Sequence, residues 1–319
     1  MLDIKKNELL SKHTSFRLGG PAKFFVVAES VEAVKEALEW AKEKTLEYFI
    51  LGGGSNVLFS GAGFDGLIIR IAIRDIEIQE NNLIAGSGAP LFLAIKKSVE
   101  AGLSGLENLS GIPGTIGGAV CNNAGAYGSS ISDHFIFAEV LHPNGRVEEM
   151  EKKDFKFAYR QTVLKYAQSP TLHIYKPKPI ILRAKFALSP GNKEELEQKI
   201  LEKIKLRAAK EPKGFCAGCA FKNIKGPAVA ELLEKINFSP DEKNLFFSRS
   251  AIPASWFIER ADLKGKKIGG AYVADEHANY IMNGGAAKSE DVIMLISLIK
   301  QQVRDKFGVQ LEEEIEIVY

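Results

Sequence analysis

Two cysteines three positions apart, Cys216 and Cys219, form the pattern in this sequence that most directly suggests chemistry. A C-x-x-C pair is typical of a metal site or of a redox-active disulfide. A structural zinc site needs four ligands at suitable spacing. The third cysteine, Cys121, is far away in the sequence, and no second C-x-x-C or H-x-x-x-H pair accompanies it. The spacing therefore leaves a metal site and a redox disulfide as open but disfavoured alternatives.

A glycine run after an apolar segment is a second candidate for chemistry. It consists of Gly52, Gly53, Gly54, Ser55 and Asn56. Glycine lets the backbone adopt positive φ and lets N–H groups approach an anion closely. Val57 breaks the G-x-G-x-x-G spacing, and the Gly-Lys-Ser/Thr of a P-loop is missing. Taken alone, the run is equally compatible with an anion-binding loop and with a tight turn.

A longer glycine-rich stretch, residues 111–128, shifts that balance. It reads GIPGTIGGAVCNNAGAYG and contains no charged side chain, although a surface linker of this length would normally carry charge. An uncharged, glycine-rich loop suits a large planar ligand lying against the backbone. Two such loops, each in its own small α/β unit, can hold one extended dinucleotide. The residues expected to contact it are Ile112, Pro113, Gly114, Thr115, Gly117, Gly118, Gly125 and Tyr127.

The first loop must be positioned by a small α/β unit. Ser30 is a suitable N-cap, and Val31, Val34, Leu38 and Ala41 follow at helical spacing. Apolar segments on either side of this helix predict strands: FFVVA, residues 48–51 and residues 67–71.

The second loop belongs to a unit that begins near Asp75. Its predicted elements are two short strands (DIEIQE and NLIAGSG), a helix over residues 90–102, a hairpin (EVLHPNGRVEEM) with an Asn-Gly turn and a closing strand (IILRAKFAL). The turn sequence SPGN then marks a boundary.

A third region follows this boundary. A charged helix is predicted to about Lys210, another over residues 227–236, and a last helix from Ser289 with Val292, Ile293, Ile296 and Ile299 inward. The segment LEEEIEIVY closes the chain as a strand. The predicted domains are therefore residues 1–72, 73–191 and 192–319, with the option that the last strand returns to the first domain.

Composition bounds the class of protein. The chain has 319 residues, 26% of them charged, and a formal net charge of +2, which gives no reason to expect nucleic-acid binding. Three cysteines fit a reducing compartment. No apolar run approaches the roughly 18 residues of a membrane span, and the first residues show no apolar signal-peptide core. We expect a cytoplasmic protein without membrane insertion.

Three segments together resemble the flavin-binding module shared by vanillyl-alcohol oxidase and p-cresol methylhydroxylase. They are HTSFRLGG (residues 13–20), LGGGSNVL (residues 51–58) and the stretch 111–128. Read with the C-terminal part, the sequence from His13 to Val318 resembles the UDP-N-acetylenolpyruvoylglucosamine reductase family. The resemblance implies an α+β fold: a two-part FAD-binding module of the p-cresol methylhydroxylase type followed by a C-terminal α/β substrate-binding domain.

The same resemblance implies the reaction and its cofactors. The family uses non-covalently bound FAD and takes hydride from NADPH. It reduces the enolpyruvyl ether of UDP-N-acetylglucosamine to UDP-N-acetylmuramate in peptidoglycan precursor synthesis. The chain passes from Leu188 through SPGNKEELEQ directly to the next helix, so it resembles the shorter type of the family, which lacks a tyrosine-bearing loop.

Three catalytic residues follow from the resemblance. Arg160 matches the arginine of a Y-R-x-S/T run beside the flavin, where it would stabilise developing negative charge; the alternative is a solvated residue at a strand end. Cys219 matches a serine or cysteine that donates a proton, which leaves Cys216 as a bystander. Glu314 matches the second glutamate of an L-E-P-E-V run, where it would orient or protonate an enol intermediate. Glu313 replaces the usual proline, and we interpret Glu312 and Glu313 as solvated.

Further residues are implied to bind ligands. Arg207 and Lys210 match an arginine and a lysine directed at flavin and substrate diphosphate, although basic residues also simply complement a helix C-terminus. Lys222 and Asn223 belong to an aromatic-Lys-Asn run that contacts substrate. We expect His277 to be packed and hydrogen-bonded.

Two other functions stay open at this point. A flavin oxidase of the same fold would act on an alcohol with oxygen and often attaches FAD covalently to a histidine, but neither glycine loop contains one. A non-enzymatic flavin-storage protein would have no use for Arg160, Cys219 and Glu314.

Overall fold

The computed structural model describes residues 2–165 and 179–319, which form two compact units. Unit 1 comprises residues 2–8, Ala22–Gly54 and the described part of Phe64–Ala209. Unit 2 comprises Leu9–Pro21, Ser55–Gly63 and Lys210–Tyr319. No helix within the described residues is long and apolar enough to cross a membrane.

The helices of the described residues are α1 (Val31–Glu43), α2 (Leu91–Glu100), α3 (Ile116–Cys121), α4 (Lys152–Phe155), α5 (Lys193–Lys210), α6 (Pro227–Lys235), α7 (Pro240–Arg249), α8 (Ala254–Arg260) and α9 (Ser289–Phe307). The strands are β1 (Lys5–Leu9), β2 (Pro21–Ala28), β3 (Tyr48–Leu51), β4 (Val57–Phe59), β5 (Phe64–Ile71), β6 (Ile76–Gln79), β7 (Asn82–Gly86), β8 (Leu103–Ser104), β9 (Gly125–Ala126), β10 (Ser129–Ser130), β11 (Phe135–Leu141), β12 (Val147–Glu151), β13 (Ile180–Ala187), β14 (Ser189–Pro190), β15 (Ile224–Lys225), β16 (Ala251–Ile252), β17 (Lys267–Ile268), β18 (Ala271–Val273), β19 (Ile281–Asn283) and β20 (Glu316–Val318).

The first half of unit 1 is a four-stranded sheet in the order β1-β2-β5-β3, packed against α1. Strands β2 and β3 both pair with β5 in parallel. The Ser30 side chain accepts a hydrogen bond from the amide of Ala33 at 3.1 Å and so caps α1. The predicted helix and strands of this region are confirmed.

The second half of unit 1 is an antiparallel sheet in the order β12-β11-β13-β7-β6. The predicted hairpin joins β11 to β12, with Leu141 paired to Val147 and Gly145 at φ +83° in the turn. Helix α2 buries Leu91, Ala94 and Ile95 in a core that also contains residues of this sheet and of α3. The glycine-rich stretch, through α3, contacts this sheet and α2.

Three features differ from the predicted elements. Helix α3 interrupts the stretch expected to be a loop, because Thr115 caps it and Val120 and Ile116 bury its apolar side. Helices α7 and α8 follow α6 where no helix was predicted. The closing segment is a strand only over β20, since residues 312–314 instead make single bridges and loop contacts.

Unit 2 is assembled from three separate stretches of chain. Strand β20 pairs in parallel with β4, and β17-β18-β19 form a small antiparallel sheet beside α9. Helix α9 begins at the predicted Ser289 and buries Val292, Ile296 and Ile299, while Ile293 is only partly buried. One hydrophobic core joins these elements, and it includes Phe16 from the N-terminal stretch.

Candidate functional site

The two glycine runs lie against each other within unit 1. A Cβ added to Gly52 would lie 2.8 Å from Oγ1 of Thr115, and one added to Gly53 would lie 2.9 Å from Cα of Gly114. Contacts this short leave no room for a side chain at either position. Gly54 and Gly114 also have positive φ, +66° and +122°, which L-residues rarely adopt. The structure thus brings Gly52 and Gly53 of the first run against Gly114 and Thr115 of the second.

The second run is fixed by hydrogen bonds to its own unit. Thr115 Oγ1 accepts from the amide of Gly118 at 3.4 Å at the start of α3. The amide of Gly117 donates to the carbonyl of Ser87 at 2.8 Å, and a Cβ on Gly117 would lie 2.7 Å from the Ser87 side chain. Gly117 therefore contributes close packing, because its N–H group is already engaged within the protein.

The remaining predicted flavin contacts of the second run differ in exposure. Ile112 packs against the hydrophobic core of the unit. Gly125 lies in β9, where a Cβ would come within 2.7 Å of the Ser129 carbonyl oxygen. Tyr127 is 42% exposed, has φ 52° and carries Lys203 Nζ 4.6 Å from its ring centroid. Tyr127 is thus the large, accessible aromatic side chain of the stretch.

Arg207 reaches the same stretch from α5. A Cβ on Gly111, which has φ +85°, would lie 2.7 Å from Cδ of Arg207. The arginine side chain therefore lies directly on the backbone at the start of the second run. Its position fits the predicted role at the flavin. The alternative, a basic residue that only complements the C-terminus of the helix, does not account for this contact.

Arg160 lies in a tight turn and not at a strand end, and it is partly buried. The turn is closed by mutual backbone hydrogen bonds of Ala158 and Gln161, at 3.0 and 3.2 Å. Its flanks are tied to the glycine-rich stretch: Thr162 Oγ1 donates to the Cys121 carbonyl at 2.7 Å, and Asn123 Nδ2 donates to the Ala158 carbonyl at 2.9 Å. These two bonds fix the place of the arginine relative to the second run.

Cys219 and Glu314 lie on neighbouring segments of unit 2. The amide of Glu314 donates to the carbonyl of Ala220 at 2.8 Å, and the amide of Lys222 donates to the carbonyl of Glu312 at 2.9 Å. Residues 219–222 and 312–314 therefore run antiparallel beside each other. Asn56, which comes from a separate stretch of unit 2, also contacts the second segment: its Nδ2 donates to the Glu314 carbonyl at 3.1 Å. Cys219 and Glu314, which are 95 positions apart in sequence, thus lie on two segments that are paired through their backbones.

Cys216 and Cys219, the C-x-x-C pair, are not joined by a disulfide. Cys216 and Cys219 both pack against a small cluster formed by Ala274, Tyr280 and Met282. Burial raises the pKa of the Cys216 thiol, which disfavours its thiolate. Among residues 2–165 and 179–319, no group of three or more His, Cys, Asp or Glu side chains is arranged to hold a metal ion.

The predicted substrate-binding residues have different surroundings in unit 2. Lys222 Nζ contacts Glu312 Oε2 at 3.1 Å, and Asn223 Oδ1 accepts from the amide of Ala254 at 3.1 Å. Lys210 is exposed. Glu312 is solvated as predicted, with 73% of its side chain exposed.

The prediction of a solvated Glu313 is wrong. Its Oε1 lies 2.7 Å from Lys300 Nζ, and its side chain is only 31% exposed. The bridge of Glu313 with Phe221 explains the difference, because it fixes this residue beside the cysteine segment.

A residue that the sequence interpretation passed over, Asn279, lies in the centre of this arrangement. Its side chain bonds to both backbone groups of Phe221 and is only 2% exposed. His277 is packed and hydrogen-bonded as predicted: its Nδ1 accepts from the amide of Asn279 at 3.2 Å, and burial lowers its pKa. The signal available in the sequence was an amide between aromatic and apolar residues, in HANYIMN.

The arrangement in unit 1 fits FAD. Gly52, Gly53 and Gly114, where the two runs meet, form a glycine cradle: a Cβ on Gly52 or Gly53 would clash with the other run, and Gly114 has a positive φ. Backbone without side chains suits the close approach of a dinucleotide. Arg207 adds a cation beside the cradle, and Tyr127 adds an accessible aromatic face. An anionic pyrophosphate and a planar ring are the ligand chemistries that this set of groups can accept.

Comparison with known proteins gives consistent results for the whole chain. Residues 22–151 match the family model of an FAD binding domain, and residues 210–318 match that of the C-terminal domain of UDP-N-acetylenolpyruvoylglucosamine reductase. A protein of that name from Caldicellulosiruptor bescii is 37% identical over 99% of this chain and 91% of its own length. Another, from Clostridium novyi, is 33% identical over 99% of this chain and 92% of its own length.

A solved structure extends the similarity to the fold. UDP-N-acetylenolpyruvylglucosamine reductase from Thermus caldophilus superposes with a TM-score of 0.76 and 29% identity, over 100% of both chains. The predicted fold class is thereby confirmed: an α+β chain with an FAD-binding module and a C-terminal domain of the expected kind.

Proposed function

The chain belongs to the UDP-N-acetylenolpyruvoylglucosamine reductase family, and on that basis we propose that it reduces the enolpyruvyl ether of UDP-N-acetylglucosamine to UDP-N-acetylmuramate, a step of peptidoglycan precursor synthesis. It is an FAD-dependent oxidoreductase with NADPH as hydride donor. One enolpyruvyl ether, one NADPH and one proton are converted to one lactyl ether and NADP⁺. The observation that carries the proposal is the match to relatives of this name over 98–99% of the chain.

The glycine cradle of unit 1 would hold FAD without a covalent bond. When FAD is bound, it supplies two-electron hydride transfer from NADPH to C3 of the enolpyruvyl group. The protein contributes binding and position. We assign the pyrophosphate to the backbone of Gly52, Gly53, Gly54 and Gly114, with Ser55, Asn56 and Arg207 close by in sequence or space. Tyr127 and the other predicted contacts of the second run would complete the flavin site.

Three side chains would carry the substrate chemistry. The Arg160 guanidinium would stabilise negative charge that develops on the enolpyruvyl carboxylate side, and Glu314 would orient the resulting enol. The Cys219 thiol would deliver its proton to C2. The antiparallel pairing of residues 219–222 with 312–314 supports this assignment, because it holds donor and carboxylate on one rigid frame.

The remaining assignments extend the same proposal. Lys210, Lys222 and Asn223 would bind the substrate. We propose residues 1–72 and 73–191 as the two parts of the FAD module and residues 192–319 as the substrate domain. The compact units divide the chain differently, because residues 9–21 and 55–63 belong to unit 2 and residues 192–209 to unit 1. Cys121, Cys216 and Cys219 form no disulfide, which suits a reducing compartment, so we propose a cytoplasmic location.

The test follows the two half-reactions separately with the purified yellow protein. NADPH added without air should bleach the flavin colour, and UDP-N-acetylglucosamine enolpyruvate should restore it with formation of UDP-N-acetylmuramate. Recovery of colour with air and an alcohol, but not with this substrate, would instead identify an oxidase. Bleaching without recovery by any acceptor would indicate flavin storage.

The cysteine variants test the assignment of the proton donor. Cys219→Ala should still be bleached by NADPH but fail to recover colour with substrate. Cys219→Ser should remain active and lose the decline at alkaline pH, because a serine hydroxyl does not ionise there, whereas a thiol has an ordinary pKa of about 8.5. Cys216→Ala is the matched control and should behave like the parent protein. Equal damage by both alanine variants would contradict the assignment.

A further inference from the structure

Asn279 makes four hydrogen bonds, and all of them go to residues 220–221 or to His277. Its Oδ1 accepts from the amide of Phe221 at 2.9 Å, and its Nδ2 donates to the carbonyl of Phe221 at 2.8 Å. Its backbone carbonyl accepts from the amide of Ala220 at 2.7 Å. Its own amide donates to Nδ1 of His277 at 3.2 Å. A side chain that is 2% exposed thus copies the pairing pattern of a β-strand along this segment.

The segment held by Asn279 is the same one that carries Cys219 and contacts Glu314. On its other side, the Ala220 carbonyl accepts from the amide of Glu314 at 2.8 Å, and the Phe221 backbone bridges to Glu313. Phe221 is itself 1% exposed, so its backbone groups have no access to water as alternative partners. Residues 220–221 therefore lie as a middle strand between Asn279 and residues 313–314.

We propose that Asn279 is the positioning residue of the proton-transfer site: it fixes the distance and orientation between Cys219 and Glu314 through the backbone of residues 220–221. The inference rests on the proposed roles of Cys219 and Glu314. None of the four hydrogen bonds of Asn279 goes to Cys219 or to Glu314, so it acts through the segment it holds.

An asparagine is required because the position needs one donor and one acceptor on a planar group. Aspartate has nearly the same shape, but its carboxylate would face the Phe221 carbonyl oxygen and replace an attraction by a repulsion. An aliphatic side chain would leave both backbone groups of Phe221 unpaired in a buried place, at the full cost of their desolvation. Glutamine keeps both amide atoms but displaces them by one methylene.

The experiment compares Asn279→Asp and Asn279→Gln with Asn283→Asp in the full-length, flavin-loaded protein. Asn283, four positions after Asn279, is a matched control. Its Nδ2 donates to the Phe16 carbonyl at 3.1 Å, and none of its side-chain hydrogen bonds goes to residues 219–222 or 312–314. Stopped-flow absorbance measures flavin reduction by NADPH and reoxidation by substrate separately. The ratio of Cys219 to Cys216 alkylation, read by mass spectrometry without substrate, reports the placement of the thiol independently of turnover.

We expect Asn279→Asp to slow substrate-dependent reoxidation by roughly tenfold to a hundredfold, the equivalent of one or two lost hydrogen bonds in a buried network. Reduction by NADPH should stay at the parental rate, and the alkylation ratio should change. Asn279→Gln should be slowed less, and it carries the test if the aspartate variant does not fold. Asn283→Asp should match the parent in both half-reactions and in the ratio.

Equal slowing of both half-reactions, or no change in reoxidation and in the alkylation ratio, would overturn the positioning role. Failure of the proposed function looks different. If Cys219→Ala and Glu314→Gln reoxidise at the parental rate while Asn279→Asp still alters the alkylation ratio, the asparagine holds the segment but the segment does not transfer the proton.

Discussion

Arg160 has a φ of 55°, a left-handed backbone conformation that is unfavourable for a residue with a Cβ. Such a conformation costs on the order of 1–3 kcal/mol and persists only where the surroundings impose it. Here the bonds of Thr162 to Cys121 and of Asn123 to Ala158 impose it. The strain supports a functional reason for this geometry, since a glycine or asparagine at the same position would relieve it.

Replacement of Arg160 by lysine should separate charge from geometry. Lysine keeps the positive charge but loses the planar fork of donors that a carboxylate can engage at two points. Loss of one charge-assisted hydrogen bond, about 1.5–3 kcal/mol, should slow reoxidation by substrate roughly tenfold to a hundredfold. Stopped-flow measurement should find flavin reduction by NADPH little changed. Equal slowing of both half-reactions would mean that Arg160 only maintains the turn.

His277 should make the stability of the protein depend on pH. Burial lowers its pKa below the ordinary value of 6.5, and its Nδ1 accepts a hydrogen bond only while the ring is neutral. Below about pH 6.5 the unfolded chain therefore takes up a proton that the folded protein resists, and the free energy of unfolding falls with decreasing pH. Above this range the contribution is complete.

Urea unfolding between about pH 7.5 and about pH 5.5 measures this effect. The parent protein should lose more stability over the range than His277→Gln, which cannot titrate. Identical slopes for the two proteins would show that His277 titrates at its ordinary pKa.

At the scale of elements, the loop after β3 depends on two glycines that pack closely on the second run: Gly52 on the Thr115 side chain and Gly53 on the Gly114 backbone. Gly53→Ala would force its Cβ to within 2.9 Å of Gly114 Cα, so the two runs must move apart. The variant should purify without yellow colour or lose FAD on dilution, which absorbance after gel filtration measures. Gly145→Ala is the control: it has positive φ but nothing within 4 Å, so it should lose about 1 kcal/mol of stability and keep its flavin.

The elements that could be predicted from sequence are those with a strong local signal. Periodicity and a serine cap placed α1, and the Asn-Gly turn placed the hairpin of β11 and β12. Helix α3 could not be predicted in this way, because glycines at positions 117 and 118 lower helix propensity and only the capped, buried context stabilises it.

Residues of the candidate site could be named from the sequence only where the family resemblance supplied them, and their roles stay predictions. Arg160, Cys219 and Glu314 came from matched motifs. The anchors Thr162 and Asn279 did not, because each acts on a partner distant in sequence, Cys121 and Phe221 respectively. Such partnerships exist only in the folded chain, and a single sequence contains no periodic signal for them.

At the scale of the molecule, the hydrophobic core of unit 2 includes side chains from outside the C-terminal region, and we expect the C-terminal region alone to be unstable. That core includes Phe16, Leu18 and Leu58, which come from the two N-terminal stretches. Each such buried side chain contributes about 2 kcal/mol, and the three together approach the net stability of a typical domain, about 5–15 kcal/mol. Residues 210–319 expressed alone should show no cooperative thermal transition.

The control for that experiment is the same fragment mixed with peptides covering residues 9–21 and 55–63. If the isolated fragment shows a cooperative transition by near-UV circular dichroism, the core of residues 210–319 is stable without the N-terminal stretches, and the prediction is wrong.

The parallel pairing of β4 with β20 also sets a schedule for the chain as it leaves the ribosome. Val57, Leu58 and Phe59 are translated 259 positions before their partners in β20, since Val57 pairs with Glu316. Unit 1 has most of its chain available much earlier. Until β20 is translated, the buried side chains of β4 therefore lack their partner strand and leave apolar surface exposed, so unit 2 can complete its fold only after residues 316–318 have been added.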